Sequence, residues 1–370
     1  MTETKWLTGM DGEAMLDAVA DQLAPRQWVL IAAAFVRKLW ELLPEGVLRQ
    51  AVDFAERTTH PLCEEDRARW RGLIEAAVPD AVQAAEQTQR EIVKTCDPEA
   101  ADLEQPVLTR PTQAAPAFPL FQAASRQAQA SIEGIGEAVV EAAQAIRALY
   151  SEPGADMLDI VRSHVEHACE LRTEANRATK FALRLKHKGD EIADQALGAK
   201  NKRLMETIAL EEVRKLEEPR QRSELDDFEA EERRERAARK QLALVLREIL
   251  GNPYKPPRFD PSWRTSTVQQ LAQGIFDERA FNRLPILADA LLDTDCDEEA
   301  VLRHCRGTEL HVMETREPVQ HVRGCWVIEL ILGRFQPLRP PEPSRPVRRR
   351  RRIEDLDIGL PLDLGDDRIV

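Results

Sequence analysis

One seam constrains this chain more than any other feature. From Ile132 the apolar positions are Ile132, Ile135, Val139, Ala143, Ile146 and Leu149, an alternation of threes and fours. That spacing keeps a single stripe of a helix turned toward a partner helix. Pro153 and Gly154 interrupt it, and the pattern resumes at Leu158, Val161, Val165, Ala168 and Leu171. Two long helices separated by a short Pro-Gly turn read as an antiparallel hairpin. Composition supports the same class. Aromatic residues make up only 5% of the chain, whereas strands favour β-branched and aromatic side chains. The chain therefore reads as all-α.

Around that hairpin the sequence divides into five stretches. Residues 1–96 read as a helical domain, with Asp11 capping a helix that carries Met15, Leu16, Val19 and Leu23 on one face. A second helix, Arg26 to Leu43, is apolar nearly all round, which places it centrally. A third runs to Arg57, a fourth spans Glu64–Ala77, and Pro79 opens a fifth reaching Lys94. Residues 97–121 carry Pro98, Pro106, Pro111, Pro116 and Pro119 and read as a linker. Residues 122–250 hold the hairpin and then a charge-dense helical arm, which Pro219 must kink or stop. Residues 251–336 form a C-terminal unit of helical hairpins without a reliable internal repeat, and 337–370 a disordered Pro/Arg/acidic tail.

Charge and apolar run length exclude several functions. Lys and Arg number 52 against 65 Asp and Glu, so the net charge of −13 repels phosphate backbones and makes nucleic acid a poor partner. The arginine run 348–352 is answered in cis by Glu354, Asp355 and Asp357. The longest apolar runs, Trp28–Val36 and Trp326–Leu332, fall short of the roughly 20 residues that span a bilayer, so no membrane association is expected. Scattered cysteines and the absence of a signal-peptide pattern point to a reducing, cytoplasmic setting. Neither a dinucleotide nor a phosphate-loop glycine motif is present, and Gly134 and Gly136 lie within the heptad helix.

Chemically capable residues concentrate in Leu284–Leu332. Cys296, His304, Cys305, His321 and Cys325 are all ligands of the kind zinc accepts. Their spacing is irregular, with no CxxC pair, and His304 and Cys305 are adjacent. That spacing favours the cysteines as small buried apolar residues. A zinc site, or a thiol enzyme with Cys325 activated beside Arg323 and His321, is the alternative. In HVRGCW, Gly324 would give a tight helix entry, Trp326 would fill the core, and Arg323 would pair with a nearby acid. His164 and His167 share a helix face but cannot close a metal site by themselves.

Two segments carry a resemblance. The N-terminal pattern TETKWL…RKLWELL and the C-terminal pattern LREILGNPYKPPRFDPSW…LPILADAL…HCRG…HVRGCWVIELILG resemble a family of bacterial proteins of unknown function. The match covers roughly the first 75 residues and 246–333, and implies no established catalytic residues. Members carry cysteines in the second helix where this chain has Ala32, Ala33, Ala34 and Phe35. They also join the two C-terminal motifs by a loop shorter than Thr308–Gln320. The expected function is a non-enzymatic helical interaction or scaffold module, acting on a protein partner or on itself through the central arm. The alternative is a metal-binding or thiol-dependent enzyme centred on the C-terminal Cys/His cluster.

Overall fold

The hairpin is the long axis of the molecule. In the computed structural model, which describes residues 1–96, 117–197, 202–217, 224–307 and 321–340, α6 (Phe118–Ala148) packs along α7 (Ala155–Leu197). Ile132, Ile135, Val139, Ala143, Ile146, Leu149, Leu158, Val161, Val165 and Ala168 are all buried, as the heptad stripe requires. Among the described residues there are helices and 3-10 turns but no strand.

The other helices in chain order are α1 (Glu3–Thr8), α2 (Gly12–Asp17), α3 (Pro25–Val36), α4 (Val47–Arg57), α5 (Glu64–Cys96), α8 (Lys202–Glu217), α9 (Glu224–Leu250), α10 (Ser266–Glu278), α11 (Leu284–Leu292), α12 (Glu299–Cys305) and α13 (Trp326–Ile331). Asp11 caps α2 as its chemistry suggests, with Oδ1 accepting from the Ala14 amide at 3.2 Å. α3 is shorter than its apolar run, giving way at Arg37 to a 3-10 turn.

Two sequence expectations are corrected. Pro79 does not divide its helix: α5 runs unbroken from Glu64 to Cys96. Pro79 and Glu75 are both exposed, so the carbonyl that the proline leaves unbonded faces water, while Ile74, Ala81 and Ala85 anchor the helix on its buried side. Phe118–Phe121, assigned to the linker, belong to α6. Pro119 sits in its first turn, where a missing N–H costs nothing. Residues 97–116, Pro219 and the 341–370 part of the tail lie outside the described residues.

One continuous apolar core draws on α2, α3, α4, the inner ends of α5, α6 and α7, and the last turns of α9. Gly12 is needed there, because a Cβ would lie 2.5 Å from the Ala243 amide nitrogen of α9. Farther along the bundle, Gln89 of α5 donates to Ser131 of α6 (2.8 Å) and to Thr179 of α7 (2.9 Å). This buried, satisfied polar triad fixes the register of three helices whose seams are otherwise rich in alanine. A second core holds α10 to α13, with Val268, Ile275, Phe276, Leu287, Leu291 and Ile328 inside.

The two cores are joined by charge. Glu56 of α4 is only 1% exposed, and its carboxylate accepts from three arginines: Arg37, Arg279 and Arg323. Arg323 also reaches Asp53 (2.7 Å) and donates to the Phe276 and Asp277 carbonyls at the end of α10 (2.9 and 2.8 Å). Burial by itself would raise the Asp53 pKa, but its bonds to Arg37 and the nearby Arg323 hold it below the ordinary carboxylate range. Removing one partner from a buried charge network leaves the rest uncompensated, at a cost of about 3 kcal/mol. Glu56→Gln should therefore lower the urea midpoint sharply. Glu45→Gln, at a 95%-exposed side chain 4.0 Å from Arg49, should leave it in place. Equal midpoints for the two variants would refute this account of the junction.

Candidate functional site

The HVRGCW segment lies in the seam between the two cores, and its chemical residues reach several different elements. His321 Nδ1 lies 2.9 Å from Glu248 Oε1 on α9. Arg323 binds α4 and α10 as described. Gly324 takes φ +97°, and a Cβ there would meet Leu30 of α3 at 2.9 Å, so both its backbone and its close approach require glycine. Cys325 Sγ lies 3.1 Å from His304 Nε2 on α12. Trp326 donates its indole N–H to His304 Nδ1 at 3.1 Å and covers Gly251.

Four side chains thus converge: Glu248, His304, His321 and Cys325. One potential ligand atom from each lies within 4.8 Å of all the others. His304 Nε2 is also 3.6 Å from Glu248 Oε2. The group is interior. Glu248, His304 and Cys325 are buried, His321 is mostly so, and the three cavities described around the fold are lined by none of the four.

The hydrogen bonds assign protons. An indole N–H has no acceptor role, so His304 Nδ1 must accept, and the neutral ring then carries its hydrogen on Nε2, facing Cys325. Burial would lower the His321 pKa, but the Glu248 carboxylate, aided by Cys325, lifts it to about 9. Burial would raise Glu248, but His304 and His321 draw it down to about 2.

Of the five residues singled out by the sequence, His304, His321 and Cys325 come together. Cys296 and Cys305 do not join the group; both are packed in the C-terminal core among Val301, Leu302 and their neighbours. Cys305 follows His304 directly, so its side chain leaves the helix at a different angle. Glu248 was not anticipated. It sits in the last turn of an arm whose charges are mostly solvated, and only its place between the core residues Leu246 and Ile249 could have marked it. His164 takes no part; its Nδ1 pairs with Glu141 across the α6–α7 hairpin at 2.7 Å. Comparison with family models, curated proteins and solved structures gave no match for this chain.

The two shifts set a pH window for protein kept in chelator. His321 is raised above its ordinary 6.5, so its contribution is complete below 6.5 and lost as pH rises through about 9. Glu248 is depressed below its ordinary 4.5, so its contribution is complete above 4.5 and lost as pH falls through about 2. Stability should be greatest between those ordinary values and fall above them by on the order of 2 kcal/mol. His321→Gln should abolish the high-pH decline. Thermal melts from pH 5 to 10 would decide this, and superimposable wild-type and variant profiles would reject it.

Proposed function

We propose that this chain is a non-enzymatic helical scaffold whose N-terminal bundle and C-terminal unit are locked together by a buried zinc-type centre of Glu248, His304, His321 and Cys325. The observation that supports it is the convergence of four ligand-type atoms, from α9, α12 and the 321–325 strip, within 4.8 Å. Tetrahedral zinc with bonds of about 2.0–2.3 Å separates its ligand atoms by about 3.3–3.8 Å, so small movements would close the shell. Charge agrees with this reading. One thiolate and one carboxylate neutralise a divalent ion, which suits a buried site. A four-ligand interior centre leaves no open position for substrate, hence the scaffold reading rather than an enzyme.

A proton network and a metal ion are rival ways of holding the same four atoms. The Trp326 bond to His304 Nδ1 favours the protonated arrangement by about 1 kcal/mol, because metal at Nε2 moves the ring proton to Nδ1. Binding of structural zinc contributes about 10 kcal/mol or more, which outweighs that bond. The rivals also have opposite pH signatures: metal-held protein weakens as pH falls and His321 takes its proton, whereas proton-held protein weakens as pH rises. Full-length protein purified without chelator should carry about one equivalent of zinc. Cys325→Ser and His321→Gln should each carry less than about 0.2. Metal below that level in the wild type, with melts unchanged by added chelator, would sink the proposal.

The scaffold's partner surface falls on the arm. α8 covers the hairpin through Ala209 and leaves Leu204 and Leu210 more than half exposed. Apolar side chains so exposed on a charged arm favour self-association. Light scattering of the full chain should give a mass above the 41.9 kDa of one copy, and the double variant L204E/L210E should return it to that value. A wild-type chain that is already monomeric would remove this surface from the proposal.

A further inference from the structure

The charge network around Glu56 borders a recess of about 480 Å³. The recess lies where the 3-10 turn after α3, α4 and the C-terminal end of α10 meet, and it reaches solvent past the half-exposed Arg57 and Asp277. Four arginines line it: Arg37, Arg57, Arg279 and Arg323. None of Glu248, His304, His321 and Cys325 takes part in its wall.

Among the described residues the ion pairs of this recess form a closed set that does not balance. Asp53 is held by Arg37 and Arg323, Asp277 by Arg57, and Glu278 by Arg283, while Glu56 serves Arg37, Arg279 and Arg323. Five guanidiniums therefore meet four carboxylates. Arg37 and Arg323 spend their donors elsewhere. Arg37 binds both acids and stacks on Trp40 at 3.8 Å, and Arg323 adds the Phe276 and Asp277 carbonyls. Arg279 has only Glu56, to which its Nη1 donates at 3.0 and 2.8 Å. Its Nε and Nη2 bond to no acceptor among the described residues and are not sealed from water, since the side chain is 26% exposed. The backbone aims this side chain: Arg279 closes α10 in the left-handed conformation, φ +55°, which residues other than glycine seldom adopt. Burial, with Arg37 and Arg323 close by, holds the Arg279 pKa below its ordinary value despite Glu56. The excess positive charge thus rests on a guanidinium that lines the recess and has one edge free.

We propose that this recess binds a small carboxylate anion on the free edge of Arg279. Nε and Nη2 lie on the same edge of a guanidinium, and their two parallel N–H bonds match the two oxygens of one carboxylate. One excess positive charge is neutralised by one negative charge. A dianion would exceed it, with Asp53, Asp277 and Glu278 in the same wall. A cation would meet carboxylates already bound to arginine. A neutral amide offers one acceptor and no charge, and chloride cannot use the fork. Arg57 belongs to α4 and Arg279 to the end of α10, so a bound carboxylate would add a contact between the two units.

The test is calorimetry on the full chain at neutral pH and fixed ionic strength, with acetate, acetamide, chloride and sulfate as probes. Acetate should bind saturably with a midpoint below about 10 mM, and the other three at least about tenfold more weakly. Arg279→Lys is the informative variant. Its single ammonium can still serve Glu56 but has no second edge, so the urea midpoint should stay near that of the wild type while acetate weakens at least about fivefold. Arg57→Gln, at a half-exposed pair, should also weaken acetate, because it removes a positive charge from the wall and frees Asp277. Arg236→Gln, on the exposed face of the arm, should leave acetate binding as it is. Wild-type protein that binds chloride, sulfate or acetamide as tightly as acetate would overturn the proposal, as would the lack of saturable acetate binding below about 10 mM. Unaltered acetate affinity in folded Arg279→Lys would do the same; should that variant not fold, unaltered affinity in Arg57→Gln decides against the site.

Discussion

A carboxylate taken out of water must be answered, and two such groups hold this molecule together. Glu56 is answered by Arg37, Arg279 and Arg323, and Glu248 by His304 and His321. In each case the acid belongs to the N-terminal core and most of the answering groups to the C-terminal unit. Separating the units would leave unpaired charge on both sides, a cost of several kcal/mol per group. Apolar contact crosses the seam as well: Leu338 is buried in the N-terminal core, Tyr254 and Val322 pack against that core, and Gly324 and Trp326 approach Leu30 and Gly251. The charges supply the directional contacts that fix how the two cores dock.

This division explains why the HVRGCW strip is so dense in distinct chemistries. Six consecutive residues must satisfy α9, α4, α10, α3 and α12 within one short turn. The side chains answer several different elements, with Cys325 and Trp326 sharing His304, so no repeat or spacing rule governs them. The centre of Glu248, His304, His321 and Cys325 is one part of that strip, and the Arg323 anchor is another. A cavity borders the same strip through Gly324.

Much of the fold could be read from periodicity. The hairpin stripe, the buried second helix and the Asp11 cap all follow from local rules. Pro79 misled because a proline's effect depends on whether the carbonyl it orphans faces water, and exposure is a tertiary property. The candidate site was legible only in part. Cys325 and His321 stood out through their type and their place beside Arg323 in HVRGCW. Cys296 and Cys305 looked equivalent to them but turn into the C-terminal core.

What the sequence determined by itself is the class and the inventory: helices, where they start and stop, and a stretch rich in ligand-type residues. These are set by interactions within a few residues along the chain. Which of those residues meet was decided only by the tertiary structure. Glu248 joins residues from 56 to 77 positions further on, and Glu56 meets Arg323 across a separation of 267. Such pairings carry no local signature. They exist because two apolar cores, packed side by side, bury their facing charges against one another.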